Sequence, residues 1–248
     1  MRNQFTAELL KARSDKTIAL LVGVATFLDV LSILGNGSKG TQRIADGVTT
    51  PAVLSHDLVR LGFANLLFAM IFGIVAVTGE YRSGAVNRTV LLARRRGDIL
   101  AAKAAVSLIV GLLLGLCGIA TSLVTSAIEM RHVGHSLVLD RESLIICAGI
   151  VLVCALSGPW GAFIGWIGRN QLVTVVAALV WMLVAESALI NFVPAAGRFL
   201  PGGAQAAIYR DTGTPETLSM PVGIVLFLGW IGVAGWLASR LFERRDLT

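Results

Sequence analysis

Few residues in this sequence have the types and spacing that catalysis or metal binding requires. His132 and His135 are three positions apart, as two metal ligands on one helical face could be, and Glu129 is the nearby acidic residue upstream. Protein zinc sites need three or four ligands held together, so a surface pair is the favoured interpretation. Ser157 in the run ALSGPW lies far from any histidine, which argues against a serine nucleophile. We therefore expect no catalytic residue, no metal site and no bound cofactor in this chain.

Nucleotide hydrolysis by the chain itself is not expected either. The sequence contains no GxxxxGK[ST] loop, whose backbone N–H groups cradle phosphates, and Lys39 in GNGSKG lacks the required spacing. The net charge of +6 would suit a nucleic-acid partner in a soluble protein. Here the basic residues flank apolar segments, which favours an anionic membrane surface and argues against nucleic acid.

Three polar side chains lie within or at the ends of long apolar segments: Asp29, Asn65 and Glu186. A central acid costs roughly 2.5–3.5 kcal/mol on membrane-insertion scales, so each acid needs a physical reason. One hypothesis places all three side chains along a translocation path that attracts a cationic or amphipathic cargo. The alternative is that the two acids reach headgroup water or pair with Arg60 or Arg198.

Transmembrane helices are the elements that must position these side chains. The chain has 248 residues, of which 55% are hydrophobic and 15% charged, and this is too apolar for a soluble domain. In lipid, a helix satisfies its own backbone hydrogen bonds, and about 17 to 25 apolar residues span the bilayer. We predict an all-α polytopic membrane protein that forms a single transmembrane domain, with six spans at about 17–34, 61–78, 104–128, 143–167, 172–190 and 222–241.

Short helices at the membrane surface are expected at two further places. Residues 1–16 put Phe5, Leu9 and Ala12 at helical spacing opposite charged positions, which predicts an amphipathic interfacial helix; the alternative is a polar tail. Residues 191–221 are too apolar for a solvated loop and are interrupted by Pro and Gly. They predict two short re-entrant or interfacial helices on the outer side.

The connection at residues 80–103 is the most charged part of the chain. It has few helix-breaking residues after Gly84, so a short helix around residues 85–93 is expected. The three arginines at 94–96 should then meet lipid headgroups before the third span. Lys103, at the start of that span, is expected to extend its ammonium group to the inner interface.

The distribution of basic residues predicts which side of the membrane each connection faces. With a cytoplasmic N-terminus, seven of the 21 Lys and Arg residues fall outside, namely Lys39, Arg43, Arg60, Arg131, Arg141, Arg198 and Arg210. The other fourteen fall inside, although the inside segments are shorter in total. Because cytoplasmic loops carry the excess of Lys and Arg, we expect both termini to face the cytoplasm of a bacterial-type inner membrane.

The layout and one motif together resemble the membrane subunit of type-two ABC export permeases. The layout consists of a surface helix, six spans, a charged first cytoplasmic connection and a broken apolar segment before the last span. The motif is the stretch GEYRSGAVNRTVLLARRRGDILAAK, which is similar to the family's E-x-R-x-G-T pattern followed by a leucine, a basic cluster and A-K. Glu80, Arg82 and Gly84 match this pattern, and Ala85 stands where threonine is usual.

The resemblance implies that the first cytoplasmic connection carries a coupling helix that docks in a groove of a separate ATPase. Charged residues would set its register and apolar residues would supply its docking face. The turn at residues 168–171 would form a second, smaller contact. The coupling residues implied in this way are Glu80, Tyr81, Arg82, Gly84, Val86, Arg88, Val90, Leu91 and Asn170.

The same resemblance implies the partners and the type of transport. The ATPase subunit would bind ATP and magnesium, and a second permease copy, identical or a sister subunit, would complete the path within membrane lipids. The cargo would be a lipid, peptide or amphipathic drug moved by efflux. The alternative is a secondary transporter driven by an ion gradient, which would need central acids or broken helices in both halves of the chain. The single break before the last span argues against that alternative.

Overall fold

The computed structural model describes residues 2–14, 16–86, 96–213 and 217–244, and those residues form helices joined by short turns, without a β-strand. In chain order the helices are α1 (Arg2–Ser14), α2 (Lys16–Gly37), α3 (Gly40–Ala45), α4 (Pro51–Arg60), α5 (Asn65–Ser83), α6 (Arg96–His132), α7 (Arg141–Gly168), α8 (Gln171–Val180), α9 (Ser187–Phe192), α10 (Pro194–Gly197), α11 (Pro201–Ile208) and α12 (Met220–Arg244). A 3-10 turn, Leu61–Ala64, joins α4 to α5, and a π-helical segment, Trp181–Glu186, joins α8 to α9.

Six helical stretches in the described part of the chain are long and apolar enough to cross a membrane. The predicted all-α polytopic fold is confirmed. The stretches are Lys16–Ile44, Pro51–Ser83, Gly97–His132, Arg141–Gly168, Gln171–Phe192 and Met220–Arg244.

The second stretch begins ten residues before the predicted residue 61 because the polar residues preceding it are accommodated within a helix. The Thr50 hydroxyl caps α4 by accepting a hydrogen bond from the Val53 N–H at 3.3 Å. One turn before α5, Arg60 pairs with Asp57 across a helical i,i+3 spacing at 2.7 Å. Polar residues with such local partners do not interrupt a helix.

Three of the spans form the centre of the bundle. In the spans that contain α5, α6 and α7, the buried share of the most apolar stretch is 56%, 56% and 61%. In the spans that contain α2, α8 and α12 it is 17%, 17% and 22%. α5, α6 and α7 are therefore the core of the bundle. α2, α8 and α12 lie around this core, and most of their apolar side chains face outward.

Close backbone contact holds α5 against α7. A side chain at Gly161 of α7 would collide with the Met70 carbonyl of α5, and one at Gly73 of α5 would collide with the Gly158 carbonyl of α7. Glycine allows the two backbones to approach in this way, and association of helices in lipid depends on such packing. The spacing of Gly161 and Gly165 predicts internal helix packing, and this role is confirmed, since Gly165 also packs against α5.

The segment between α9 and α12 folds back onto the core. All residues of α11 except Gly202 are buried, and a side chain at Gly149 of α7 would collide with the Ile208 carbonyl. The Trp230 indole N–H of α12 donates to the Phe199 carbonyl at 2.9 Å, which ties this segment to the last span. Two short helices, α10 and α11, occupy the part of the chain where re-entrant or interfacial helices were expected.

Gly161→Ala is expected to destabilise the bundle, because its methyl group would press on the Met70 carbonyl. Overpacking of this kind costs about 1–3 kcal/mol. The measurement is the Tm of the purified chain in detergent, which should fall. The matched control is Gly229→Ala on the outward side of α12, where nothing lies within 4 Å and the Tm should not change. Equal Tm values for both variants would contradict tight packing between α5 and α7.

Candidate functional site

A cluster of four charged side chains joins α1, α5 and α6 at one end of the bundle, which we call the basal end. Lys11 of α1 lies 2.6 Å from Glu8 and 2.7 Å from Glu80 of α5. Lys103 of α6 lies 2.8 Å from Glu8 and 2.9 Å from Glu80. Each lysine thus contacts both carboxylates, and we call this set of four residues the basal ion cluster.

Lys103 is the buried centre of the basal ion cluster. Its side chain is 2% exposed, and its ammonium also donates to the Ala76 carbonyl at 3.1 Å. The prediction that Lys103 extends to the membrane interface is therefore wrong. Two carboxylates and a carbonyl satisfy its charge inside the protein, and a buried ammonium is stable only with such partners. Nothing in the pattern of residues 1–16 indicates that Glu8 is one of these partners, although Glu8 shares a helical face with Phe5 and Ala12.

Outside the membrane spans, the cluster shifts the pKa values of Glu8 and Lys11. Burial by itself would raise the pKa of Glu8, but the charges and hydrogen bonds of Lys103 and Lys11 outweigh it and hold that pKa below its usual value. Burial would likewise lower the pKa of Lys11, and hydrogen bonds to Glu8 and Glu80 outweigh it and raise that pKa. The folded state therefore favours the charged form of both groups.

α1 occupies the place of the predicted amphipathic helix, and part of its apolar face packs against the bundle. Phe5 and Ala12 belong to an apolar cluster with Phe72, Val106 and other residues of α5 and α6. Leu9, which helical spacing places on the same apolar face, is 39% exposed. The side of α1 that faces the bundle is therefore formed by Phe5, Glu8 and Ala12.

The predicted coupling residues divide into buried and exposed groups. Glu80 is engaged in the basal ion cluster, so its carboxylate faces inward rather than toward a docking partner. Val86 is also buried, in a cluster with Trp166 of α7 and Phe242 of α12, so it does not contribute to an exposed apolar face. Gly84 ends α5 in the left-handed conformation, with a φ of 68°, which glycine adopts at little cost.

The half-buried Tyr81 and the exposed Arg82 and Asn170 of the predicted coupling set border a groove of about 750 Å³ at the basal end. Tyr81 and Arg82 of α5 line one wall, and Asn170, which caps α8 by accepting from the Val173 N–H, lines the other. The Arg169 guanidinium lies 5.2 Å from the centre of the Tyr81 ring and bridges the two walls. The remaining predicted residues, Arg88, Val90 and Leu91, lie outside the described residues, as does most of the helix expected at 85–93.

Asp29 and Asn65 lie together in the interior of the bundle. Each residue is 1% exposed, and the Asn65 amide donates to the Asp29 carboxylate at 2.5 Å and to the Gly62 carbonyl at 3.2 Å. A side chain at Gly118 of α6 would collide with Asn65, so the pair is enclosed by α2, α5 and α6. Asp29 therefore has an amide partner, whereas Arg60 bonds to Asp57 and Thr212.

Glu186 lies apart from this pair, at the end of the π-helical segment. Its side chain accepts a hydrogen bond from the Gly202 N–H at the start of α11, and the residue is 2% exposed. It also lines a cavity of about 310 Å³ between α5, α7, α8 and α11. The structure thus brings together two of the three side chains assigned to a translocation path and places the third in a separate cavity.

The histidines and the serine considered above have local roles. His132 is largely exposed, 3.8 Å from Glu129, and no group of three or more His, Cys, Asp or Glu residues in the described ranges could hold a metal ion. The buried Ser157 hydroxyl donates to the Val153 carbonyl at 2.7 Å and accepts from Gln205 at 3.3 Å. Its contacts are those of a packed helix residue.

Comparison with protein families agrees with this architecture. A family model described as ABC-2 family transporter protein matches residues 4–185, which run from α1 into the π-helical segment. The chain therefore belongs to the ABC-2 transporter family. It is a permease subunit of the type-two ABC class and a multi-pass membrane protein. A comparison with curated proteins found no significant match.

Lys103→Met is expected to destabilise the basal end strongly. It would leave Glu8 and Glu80 close together with only Lys11 as a counter-ion, and removing one partner of a buried ion pair costs about 3–5 kcal/mol. Lys11→Met is the matched control, because the Lys11 side chain is 53% exposed and such pairs contribute about 0–1 kcal/mol. Tm values of the two purified variants test this difference. A Tm loss for Lys103→Met no larger than that for Lys11→Met would contradict it.

Acidification is expected to release α1 from the bundle. Because the pKa of Glu8 is lowered in the folded state, its carboxylate stabilises the attachment of α1 at any pH above the unfolded pKa of about 4.3. This stabilisation is lost as pH falls through the lower folded pKa. The raised pKa of Lys11 means that the stabilisation from its ammonium group is present below its unfolded value of about 10.4 and is lost only as pH rises through the higher folded value. Amide hydrogen exchange of residues 2–14, corrected for intrinsic rates, should accelerate below pH 4. Glu8→Gln should exchange rapidly at pH 7 already, and a slow variant would contradict this role of Glu8.

Proposed function

We propose that the chain is the permease subunit of an ABC exporter and forms the path for a lipid, peptide or amphipathic drug. A separate ATPase subunit, which binds ATP and magnesium, drives transport. The observation that supports this proposal is the groove at the basal end, where Arg82 and Asn170 are exposed on two different spans within the region matched by the family. The preference for export over import follows from the resemblance of the sequence to export permeases.

The basal ion cluster offers a route by which force from the ATPase reaches the spans. An ATPase that contacts Arg82 would act on α5 two residues beyond Glu80. Through Lys103, Glu80 is joined to α6, and through Lys11 it is joined to α1. Because α5 also packs against α7 by backbone contact, a displacement at the groove would move core helices together rather than bend one of them.

The proposed assembly contains a second permease copy, either identical or a sister subunit, surrounded by membrane lipids. The outward apolar faces of α2, α8 and α12 provide surfaces for contact with the second permease copy and with membrane lipids. We place the basal end and both termini in the cytoplasm at a bacterial-type inner membrane. Fourteen of the 21 basic residues lie in segments assigned to that side, which supports this orientation.

Arg82→Ala is expected to weaken ATPase association by about tenfold, as loss of one interface arginine often does. The test is co-purification of the mildly solubilised chain with a small soluble ATPase, followed by the rate of ATP hydrolysis. The Tm should not change, because the Arg82 side chain is exposed. The matched control is Arg210→Ala, which removes an arginine bonded to Glu142 at the opposite end and should bind the ATPase normally.

Two results would contradict the proposed function. One is a chain that never retains an ATPase and whose transport follows a proton or sodium gradient. The other is equal ATPase association by Arg82→Ala and Arg210→Ala, which would place the contact elsewhere. Glu80→Ala is less informative than Arg82→Ala, because loss of Glu80 also disrupts the basal ion cluster and should lower the Tm.

A further inference from the structure

The cavity that contains Glu186 has one acidic group among apolar walls. Met70, Trp160, Trp181 and Met182 are among the apolar residues that line it, and Glu186 and Gln205 line it as well. No lysine or arginine is among the residues lining this cavity in the described part of the chain. Its lining therefore carries a carboxylate without a cationic side chain beside it, which favours a positively charged occupant.

Backbone geometry fixes the carboxylate in place. The Gly202 N–H at the start of α11 donates to Glu186, and Gly202 is so close that a side chain there would meet the carboxyl group. Gln205, one turn further along α11, is held by its bond to Ser157. The N-terminus of a helix stabilises a negative charge near it, so α11 supports the charge of Glu186 without neutralising it by an ion pair.

The π-helical segment supplies three of the groups that line the cavity. Trp181, Met182 and Glu186 all belong to Trp181–Glu186 and all line the cavity. Single π-helical turns within α-helices occur frequently at functional sites. The faces of tryptophan rings attract cations, and methionine adapts its shape to apolar ligands of different outline. This combination suits an organic cation with an aromatic or otherwise apolar body.

The cavity runs from an open edge to the buried core. Val173 and Trp181 at its edge are 62% and 47% exposed, whereas Met70 and Gln205 in its depth are each 2% exposed. A volume of about 310 Å³ is at the lower end of the range of small-molecule sites. A compact ligand can therefore enter past α8, with its charge directed to Glu186.

We infer that this cavity is a binding site for lipophilic monocations, with Glu186 as the group that selects their charge. The binding event depends only on this chain, but the role of the ligand as transported cargo rests on the proposed function. Asp29 does not line this cavity, and its carboxylate is already bonded to Asn65. Of Asp29 and Glu186, the two acids considered for a translocation path, Glu186 is therefore the one that contacts the ligand.

The test compares two ions of nearly the same shape and opposite charge, tetraphenylphosphonium and tetraphenylborate. Each is equilibrated with the full-length chain in lipid nanodiscs, and binding to empty nanodiscs is subtracted. The native chain should bind the cation saturably and should not bind the anion above the background. Glu186→Gln should weaken cation binding by about tenfold, as expected for loss of a charged partner, while its amide oxygen still accepts from the Gly202 N–H. The matched control is Glu142→Gln, at the edge of the bundle, which should bind the cation as the native chain does.

Specific outcomes would overturn the inference. Equal binding of both ions by the native chain, or native affinity in Glu186→Gln, would exclude charge selection by Glu186. If Glu186→Gln has a lowered Tm, cation binding is measured instead in Trp181→Leu, which changes a residue at the exposed edge of the cavity. Unchanged cation binding in Trp181→Leu would exclude this cavity as the binding site. Failure of binding with an ATPase still attached would leave the proposed function intact. Cation binding by a chain that never retains an ATPase in the co-purification test would contradict the proposed function alone.

Discussion

The structure depends on the close approach of the α5 and α7 backbones at glycine residues. In lipid, apolar side chains gain little by leaving one hydrocarbon environment for another, so helix association depends on contact and shape. Gly73 and Gly161 each face a carbonyl of the opposite helix and remove the side chains that would separate the two helices. α6 joins this core in a similar way, since Gly111 faces the Cys154 carbonyl of α7. The three core helices then provide a rigid frame for the charged basal end and for α11.

Two kinds of polar interaction occur within this frame. They differ in whether an acidic side chain is paired with a basic one. In the basal ion cluster two lysines face two carboxylates, so opposite charges are paired, and the cluster joins α1 to the core. Glu186 accepts a hydrogen bond from the Gly202 N–H, and no lysine or arginine in the described residues lines the cavity beside it. Paired charges favour one arrangement of the helices, whereas an acidic group without a basic side chain beside it favours binding of a cation. In the two proposals made above, mechanical connection and ligand selection therefore depend on different acids.

Much of the fold could be predicted from the sequence, and the positions of side chains within it could not. The length and hydropathy of six segments identify the spans because lipid imposes one simple requirement, a helix of sufficient length. Lys103 shows where this reasoning fails. A lysine at the end of an apolar run suits an interfacial position, and only the tertiary packing of α1 brings Glu8 within 2.8 Å of it. The burial of Glu80 and Val86 likewise depends on tertiary packing, which places Glu80 beside Lys103 and Val86 in a cluster with Trp166 and Phe242. Gly202 and Gln205 could not be linked to Glu186 or Ser157 without knowing that α11 folds back onto the core.

The length of α6 has a mechanical consequence. Its 37 residues extend about 55 Å at 1.5 Å per residue, whereas the hydrocarbon layer is about 30 Å thick. Roughly 25 Å of this helix therefore lies beyond the acyl chains, shared between its two ends. A rod of this length pivoting at the bilayer midplane converts a tilt of about 5° into a lateral movement of about 2 Å at each tip. A small rotation in the densely packed centre of the bundle thus becomes a shift of atomic size where α6 meets water.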